Sequence, residues 1–289
     1  MNYRHHFHAG NFADVVKHAL LVRLIRALQK KEKGFLYLDS HAGRGSYDLV
    51  AASQGDSLTR KPEWPDGIGR LWDVKECPAE LSDYLTLVRD FDRTQGNSEA
   101  TPRYYPGSPW VARLLARSQD RLALCEKQHD ECEALRNAFQ FSPGTTVREM
   151  DGYVALRAML PPPERRALVL IDPPFEAQAE FAQIGSALGE GLGRFPSGIF
   201  AVWYPLTERA RVDAFFAEVF ALKPPPTLCA ELTIAGDQSL VKMKGCGLVV
   251  VNPPWGFEIA VQTILAFLAS ALAQAPGAAA KVSWLVPEK

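Results

Sequence analysis

The stretch Phe35-Leu36-Tyr37-Leu38-Asp39-Ser40-His41-Ala42-Gly43-Arg44-Gly45 reads as an apolar strand that meets an acid and then a glycine-bearing turn. Open α/β sheets receive nucleotide-type ligands at such a strand exit, because glycine lets the backbone come close to the ligand. Upstream, Val16, Leu20, Leu24 and Leu28 recur at helical spacing between about Ala13 and Lys30. Lysine and arginine fall mostly between them, which predicts an amphipathic helix leading into the strand.

Downstream, the segment from about Tyr47 to Tyr104 breaks the pattern. It holds Pro62, Pro65 and Pro78, scattered tryptophans and one helical run near Ala79 to Phe91. We read residues 47–104 as an inserted, mainly helical subdomain, and residues 1–46 with 105–289 as the main domain. Strand-like runs then return at Leu122 to Cys125, Val147 to Met150, Ala167 to Ile171 and Gly198 to Trp203, separated by helix-like stretches. Further runs lie near Leu228 to Ile234, Leu248 to Val251 and Val282 to Val286. Strongly apolar strands alternating with helices predict an α/β fold, Rossmann-like, with a mostly parallel sheet covered by helices on both faces.

Four of these strands lead into an acid: Asp39, Glu126, Asp151 and Asp172. In a parallel sheet their carboxyl ends share one edge, where ligands bind. A single acid there would mean little, because turns favour aspartate anyway. Four behind a glycine turn predict a site.

The sharpest signal is Asp172-Pro173-Pro174-Phe175. The exocyclic amine of adenine is a poor nucleophile, since its lone pair is delocalised into the ring. A carboxylate and a neighbouring backbone carbonyl can each accept one amine N–H and draw that lone pair out of the ring plane. Two prolines stiffen the turn and bring carbonyls without competing N–H groups. The adjacent aromatic can stack on a base that has left its helix. Asn252-Pro253-Pro254-Trp255 is a rival, because asparagine can replace aspartate in amine methylation. Chain order favours Asp172, which closes the strand placed across the switch point from the glycine turn. Asn252 is assigned to structure.

Composition narrows the alternatives. A net charge of −1 argues against extensive non-specific binding of nucleic acid, although Arg4, His5, His6, His8 and Lys17, or Lys242 with Lys244, could make a local basic patch. None of the five cysteines forms a C-x-x-C pair, so a zinc ribbon or dithiol site has no support. His5, His6 and His8 have no nearby carboxylate or cysteine cluster and read as RNA-facing or solvated rather than metal-binding, so no metal is expected. The longest apolar segment, Ile259 to Ala273, is too short to span a bilayer, and the polar N-terminus does not read as a signal peptide; a cytoplasmic place is expected.

With these motifs in view, the chain resembles the bacterial RlmJ family of 23S ribosomal RNA adenine-N6 methyltransferases. The resemblance runs from Tyr3-Arg4-His5-His6-Phe7-His8-Ala9-Gly10-Asn11, Asp14 and Lys17-His18 through Asp39-Ser40-His41-Ala42-Gly43. It continues in Tyr104-Tyr105-Pro106-Gly107-Ser108-Pro109, Asp172-Pro173-Pro174-Phe175 and Trp203-Tyr204-Pro205, and ends in Val282-Ser283-Trp284-Leu285-Val286-Pro287. It implies a class I methyltransferase fold, S-adenosylmethionine as cofactor and 23S ribosomal RNA as partner, protein-free or early in assembly, with no obligate protein partner. Asp172, with the Pro173 carbonyl and Phe175, is implied to hold the target adenine. His18, His41, Gly43, Ser108, Glu126, Asp151, Gly152 and Asp172 are implied cofactor contacts, Glu126 for the ribose hydroxyls and Asp151 for the cofactor's adenine. Tyr3 and Arg4 are implied RNA contacts. Phe175 stands where related sequences often carry tyrosine, and stacking needs only the ring. Some members carry an older label linking them to use of external DNA. A DNA adenine methyltransferase and a non-catalytic nucleic-acid-binding protein are therefore the competing readings.

Overall fold

The computed structural model describes residues 5–51, 61–177, 179–241 and 243–288. Within them the strands are β1 (Leu36–Asp39), β2 (Ser46–Asp48), β3 (Tyr104–Pro106), β4 (Arg121–Glu126) and β5 (Thr145–Glu149), then β6 (Ala167–Ile171), β7 (Ile199–Pro205), β8 (Thr227–Thr233), β9 (Gly245–Val251) and β10 (Ala279–Val286). The helices are α1 (Phe12–Gln29), α2 (Ile68–Leu71), α3 (Ala79–Thr94), α4 (Ser108–Leu115), α5 (His129–Phe139) and α6 (Gly152–Met159), followed by α7 (Glu180–Arg194), α8 (Arg209–Ala221) and α9 (Phe257–Ala271).

One eight-stranded sheet has the order β10-β8-β9-β7-β6-β1-β4-β5. Strands β5, β4, β1, β6 and β7 run parallel, and each of these pairings is in continuous register. Such strands face helices on both sides, and β1 and β6 are buried along their whole length. The sheet winds outward in both directions from β1, so the switch point lies between β1 and β6.

Beyond β7 the direction changes. Strand β9 is antiparallel to β7 and β8, and β10 is antiparallel to β8. This reversal settles the rival motif. Because β9 runs backwards, Asn252 at its end lies on the opposite edge of the sheet from Asp172. There its side-chain amide donates to the carbonyls of Pro196 and Gly198 at 2.8 and 2.7 Å, locking the chain in front of β7. Its φ of +55° is one that asparagine tolerates better than most residues. Asn252→Ala should lose about 1–3 kcal/mol of stability, read by urea denaturation, and leave methyl transfer unchanged. A large loss of transfer at full folding would return Asn252 to the chemistry.

Helix α1 differs from its expected surface character. From Phe12 to Val22 every residue is buried, Lys17 included at 5% exposure. The helix is covered by the sheet, by α4 and α9, and by α3 from the inserted segment. Lys17 therefore belongs to no surface basic patch, and Lys242, named with Lys244 as a second candidate patch, lies outside the described residues, as do Tyr3 and Arg4.

The ends of the inserted segment meet in the two-stranded antiparallel sheet β2–β3, which sequence reading did not anticipate. The segment also clasps the N-terminus. The amide of Ile68 donates to the Gly10 carbonyl at 2.8 Å, and Glu63 accepts from Asn11 at 2.8 Å and pairs with His8 at 3.0 Å. Among the described residues no helix is long and apolar enough to cross a membrane.

Candidate active site

At the carboxyl edge of the parallel strands lies a cavity of about 880 Å³, within the range of sites for small-molecule ligands. The structure brings ten of the expected residues to its wall: His18, His41, Gly43, Ser108, Glu126, Asp151, Gly152, Asp172, Pro173 and Phe175. Tyr3 and Arg4 fall outside the described residues.

Asp39 closes β1 with no solvent exposure. Its Oδ2 accepts from the hydroxyls of Tyr37 at 2.8 Å and Ser108 at 2.7 Å. Burial pushes its carboxyl up to about 6, against the pull of these two hydrogen bonds. A raised aspartate favours the protonated form in the fold, so stability from this group grows as pH falls from about 6 toward the ordinary carboxylate range and is lost again as pH rises through 6. Carboxyl NMR should show Asp39 titrating near 6; a midpoint below 4 would mean that the buried environment is not the one described.

The glycine turn follows. Gly43 has φ +58°, and its amide donates to Oε2 of Glu126 at 2.9 Å, while the Gln128 amide donates to Oε1 at 2.7 Å. The Glu126 carboxylate is thus held at the mouth of the turn by backbone donors. Burial raises its pKa, partly offset by those bonds. Asp151 caps α6 by accepting from the Tyr153 amide at 3.0 Å, and its other oxygen meets Lys127 at 2.9 Å. Burial opposes its charge, but Lys127 and the helix amides hold its pKa below the usual range. Gly152 packs backbone to backbone against the β1 exit. A Cβ there would lie 1.9 Å from the Ser40 carbonyl, so no larger residue fits without moving the turn.

Two histidines also line the cavity. His41 Nδ1 meets the Ser40 hydroxyl at 2.8 Å, and its ring packs edge-on to Tyr153. His18 Nδ1 meets the Tyr105 hydroxyl at 2.8 Å, while its Nε2 is buried without a partner. Burial depresses both, to about 4 for His41 and about 3 for His18, so both rings are neutral near pH 7.

Asp172 follows β6 directly. Its Oδ2 accepts a hydrogen bond from the Lys17 ammonium, which also donates to Asp14 Oδ1 at 2.8 Å. Three residues on, Phe175 has φ +51°, a strained setting for an aromatic. Its half-buried ring stands edge-on to Phe181 and Trp203, at 5.0 and 5.6 Å between centroids. Trp203 also lines the cavity. Among the described residues no group of three or more histidine, cysteine or acidic side chains could hold a metal.

Sequence reading gave Lys17 and Asp14 no role in the site. The signal was present: Asn11, Asp14 and Lys17-His18 recur every three to four residues, one polar stripe on an otherwise apolar helix.

A parallel sheet with this switch point, a glycine turn after β1 and acids after β4 and β5 around one cavity defines a class I S-adenosylmethionine-dependent methyltransferase fold. The residues present fit that cofactor: two anchored carboxylates that could accept from hydroxyl and amine groups, and an orphaned imidazole nitrogen. Comparison with known proteins narrows the class. The family model described as "Ribosomal RNA large subunit methyltransferase D, RlmJ" matches residues 32–286, and the chain belongs to that family. "Ribosomal RNA large subunit methyltransferase J" of Escherichia coli (strain K12) is 41% identical over 288 residues, and its namesake in Haemophilus influenzae is 39% identical, each covering 100% of both chains. A solved protein from Legionella pneumophila str. Philadelphia 1, 35% identical, superposes with a TM-score of 0.84 over 96% of this chain and 98% of that one.

Proposed function

We propose that this chain transfers a methyl group from S-adenosylmethionine to the exocyclic N6 amine of an adenine in 23S ribosomal RNA. The observation that carries the reading is Asp172-Pro173-Pro174-Phe175 at the exit of β6, beside the glycine turn of β1 and on the same cavity. When bound, the cofactor supplies an electrophilic methyl carbon on a sulfonium. Glu126 would hold its ribose hydroxyls and Asp151 its adenine amino group, with His18, His41, Gly43, Ser108 and Gly152 shaping the rest.

The target amine is the work of the β6 exit. Lys17 occupies Oδ2 of Asp172, which leaves Oδ1 to accept one amine N–H while the Pro173 carbonyl accepts the other. Together they turn the nitrogen lone pair out of the ring plane and hold it in line. Phe175, fixed by Phe181 and Trp203, offers its ring to the base. The rate comes chiefly from positioning. Asp172 need not be a strong base, since the amine becomes acidic as nitrogen bonds to carbon and its proton can leave afterwards. The mechanism uses no metal.

In this reading residues 1–46 and 105–289 form the methyltransferase domain and residues 47–104 the inserted subdomain. Tyr3 and Arg4 meet the RNA, which is protein-free or early in assembly. The protein acts without an obligate protein partner, in the cytoplasm. The test is transfer of radiolabelled methyl to protein-free 23S ribosomal RNA beside adenine-containing duplex DNA. Label in the RNA alone is expected; label in DNA would make this a DNA enzyme, and no label in either would favour a binding protein.

A further inference from the structure

Helix α3 lies in the inserted segment, yet one of its side chains reaches the cofactor wall by way of a buried hydroxyl chain. The Tyr84 hydroxyl stands 2.9 Å from that of Tyr105, which stands 2.8 Å from His18 Nδ1. All three side chains are shut off from solvent. The chain ends at His18 Nε2, which has no partner among the described residues, on a residue that lines the cavity.

Counting protons gives the direction of this chain. A neutral imidazole carries one N–H, and each hydroxyl carries one O–H. If His18 donated from Nδ1, Tyr105 would pass its own proton to Tyr84. The Tyr84 O–H would then point into dry core with no acceptor, which is costly. In the other direction Tyr84 donates to Tyr105, and Tyr105 donates to Nδ1. Every hydroxyl hydrogen is then used, and the single donor left over is Nε2–H, buried on a residue that lines the cavity. The depressed pKa of His18 agrees with a neutral ring.

The leftover donor also selects its ligand. Glu126 and Asp151 are acceptors and suit the hydroxyls and amine of the cofactor's nucleoside. The one anionic group of S-adenosylmethionine, and its strongest acceptor, is its carboxylate. We infer that Tyr84 and Tyr105 are positioning residues: a two-hydroxyl relay that fixes His18 in its Nε2–H tautomer for the cofactor carboxylate, so that the inserted helix helps to build the cofactor site. This inference rests on the methyltransferase reading.

The test combines binding with a spectroscopic readout. Histidine ring 15N shifts, with His18 assigned through a His18→Gln variant, should show wild-type Nδ1 unprotonated and Nε2 protonated. Tyr105→Phe should mix the tautomers, weaken S-adenosylhomocysteine binding by calorimetry about ten-fold, and raise KM for the cofactor with kcat nearly kept. Tyr84→Phe should weaken binding less, because Tyr105 can still donate, and it carries the binding test if Tyr105→Phe does not fold. A protonated Nδ1 in the wild type, or variants that bind like the wild type, would overturn the relay alone. Wild-type protein that does not bind S-adenosylhomocysteine would overturn the methyltransferase reading and the relay with it.

Discussion

Asp172→Ala should lower methyl transfer to 23S ribosomal RNA by about 10³-fold or more, with affinity for S-adenosylhomocysteine within a few-fold of wild type. The carboxylate is 15% exposed, and its Oδ2 is engaged by Lys17, so alanine removes the acceptor that aims the amine. Lys17 keeps Asp14 at 2.8 Å, which leaves its ammonium paired and limits the cost to folding. The more telling change is Asp172→Asn. Asparagine retains one carbonyl oxygen and serves amine methylation elsewhere. Here its NH2 group would face either the Lys17 ammonium or the target amine, and both are donors. The asparagine variant should therefore lose at least about 10²-fold, unlike a site with no cation behind the acid. Single-turnover transfer beside calorimetric binding reads both numbers. Normal turnover in the alanine variant would remove Asp172 from the mechanism.

Why Asp172 was readable from sequence and Lys17 was not is a matter of range. Strand β6 coincides with the run Ala167 to Ile171, because five apolar residues, two of them β-branched, lie between polar ones and have the length and pattern of a strand covered on both faces. Asp39, Glu126 and Asp172 stand at or just beyond strand ends that the same pattern marks, and Asp151 follows β5 by two residues. Lys17 looks like any lysine on an amphipathic helix until Asp172, 155 positions away, is brought beside it. The direction of β9 is also absent from its apolar run, although that direction alone removes Asn252 from the site. Strands β2 and β3 are three residues each, and helix α4 is eight, too short to show a period. The inserted segment hid its contribution for a similar reason: Tyr84 reads as a core aromatic, and only packing shows its hydroxyl reaching Tyr105.

Lys17→Met should cost about 3–5 kcal/mol of stability near neutral pH and suppress transfer as well. Burial works against the Lys17 charge, but Asp14 and Asp172 hold its pKa well above the ordinary lysine range. Burial likewise opposes the charge of Asp14, yet Lys17 and His5 hold that carboxyl well below its usual range. A raised lysine contributes stability that is present below about 10.4 and lost above it, and a lowered aspartate contributes stability present above about 3.9 and lost below it. The pair therefore supports the fold across the whole interval between those values. Methionine keeps the apolar stem and removes the charge, leaving two carboxylates facing a vacated centre. Without Lys17, burial dominates at Asp14, and its pKa rises. The variant then takes up a proton that the wild type refuses, so its deficit in urea denaturation should shrink between pH 7.5 and 5. A deficit that stays constant over that interval would mean that Asp14 is not the stranded charge. Asp14→Asn combined with Lys17→Met separates folding from chemistry. The double variant should recover much of the lost stability, because the stranded charge is gone. It should not recover transfer, because Asp172 still lacks the ammonium that fixes its Oδ2 and leaves Oδ1 for the amine.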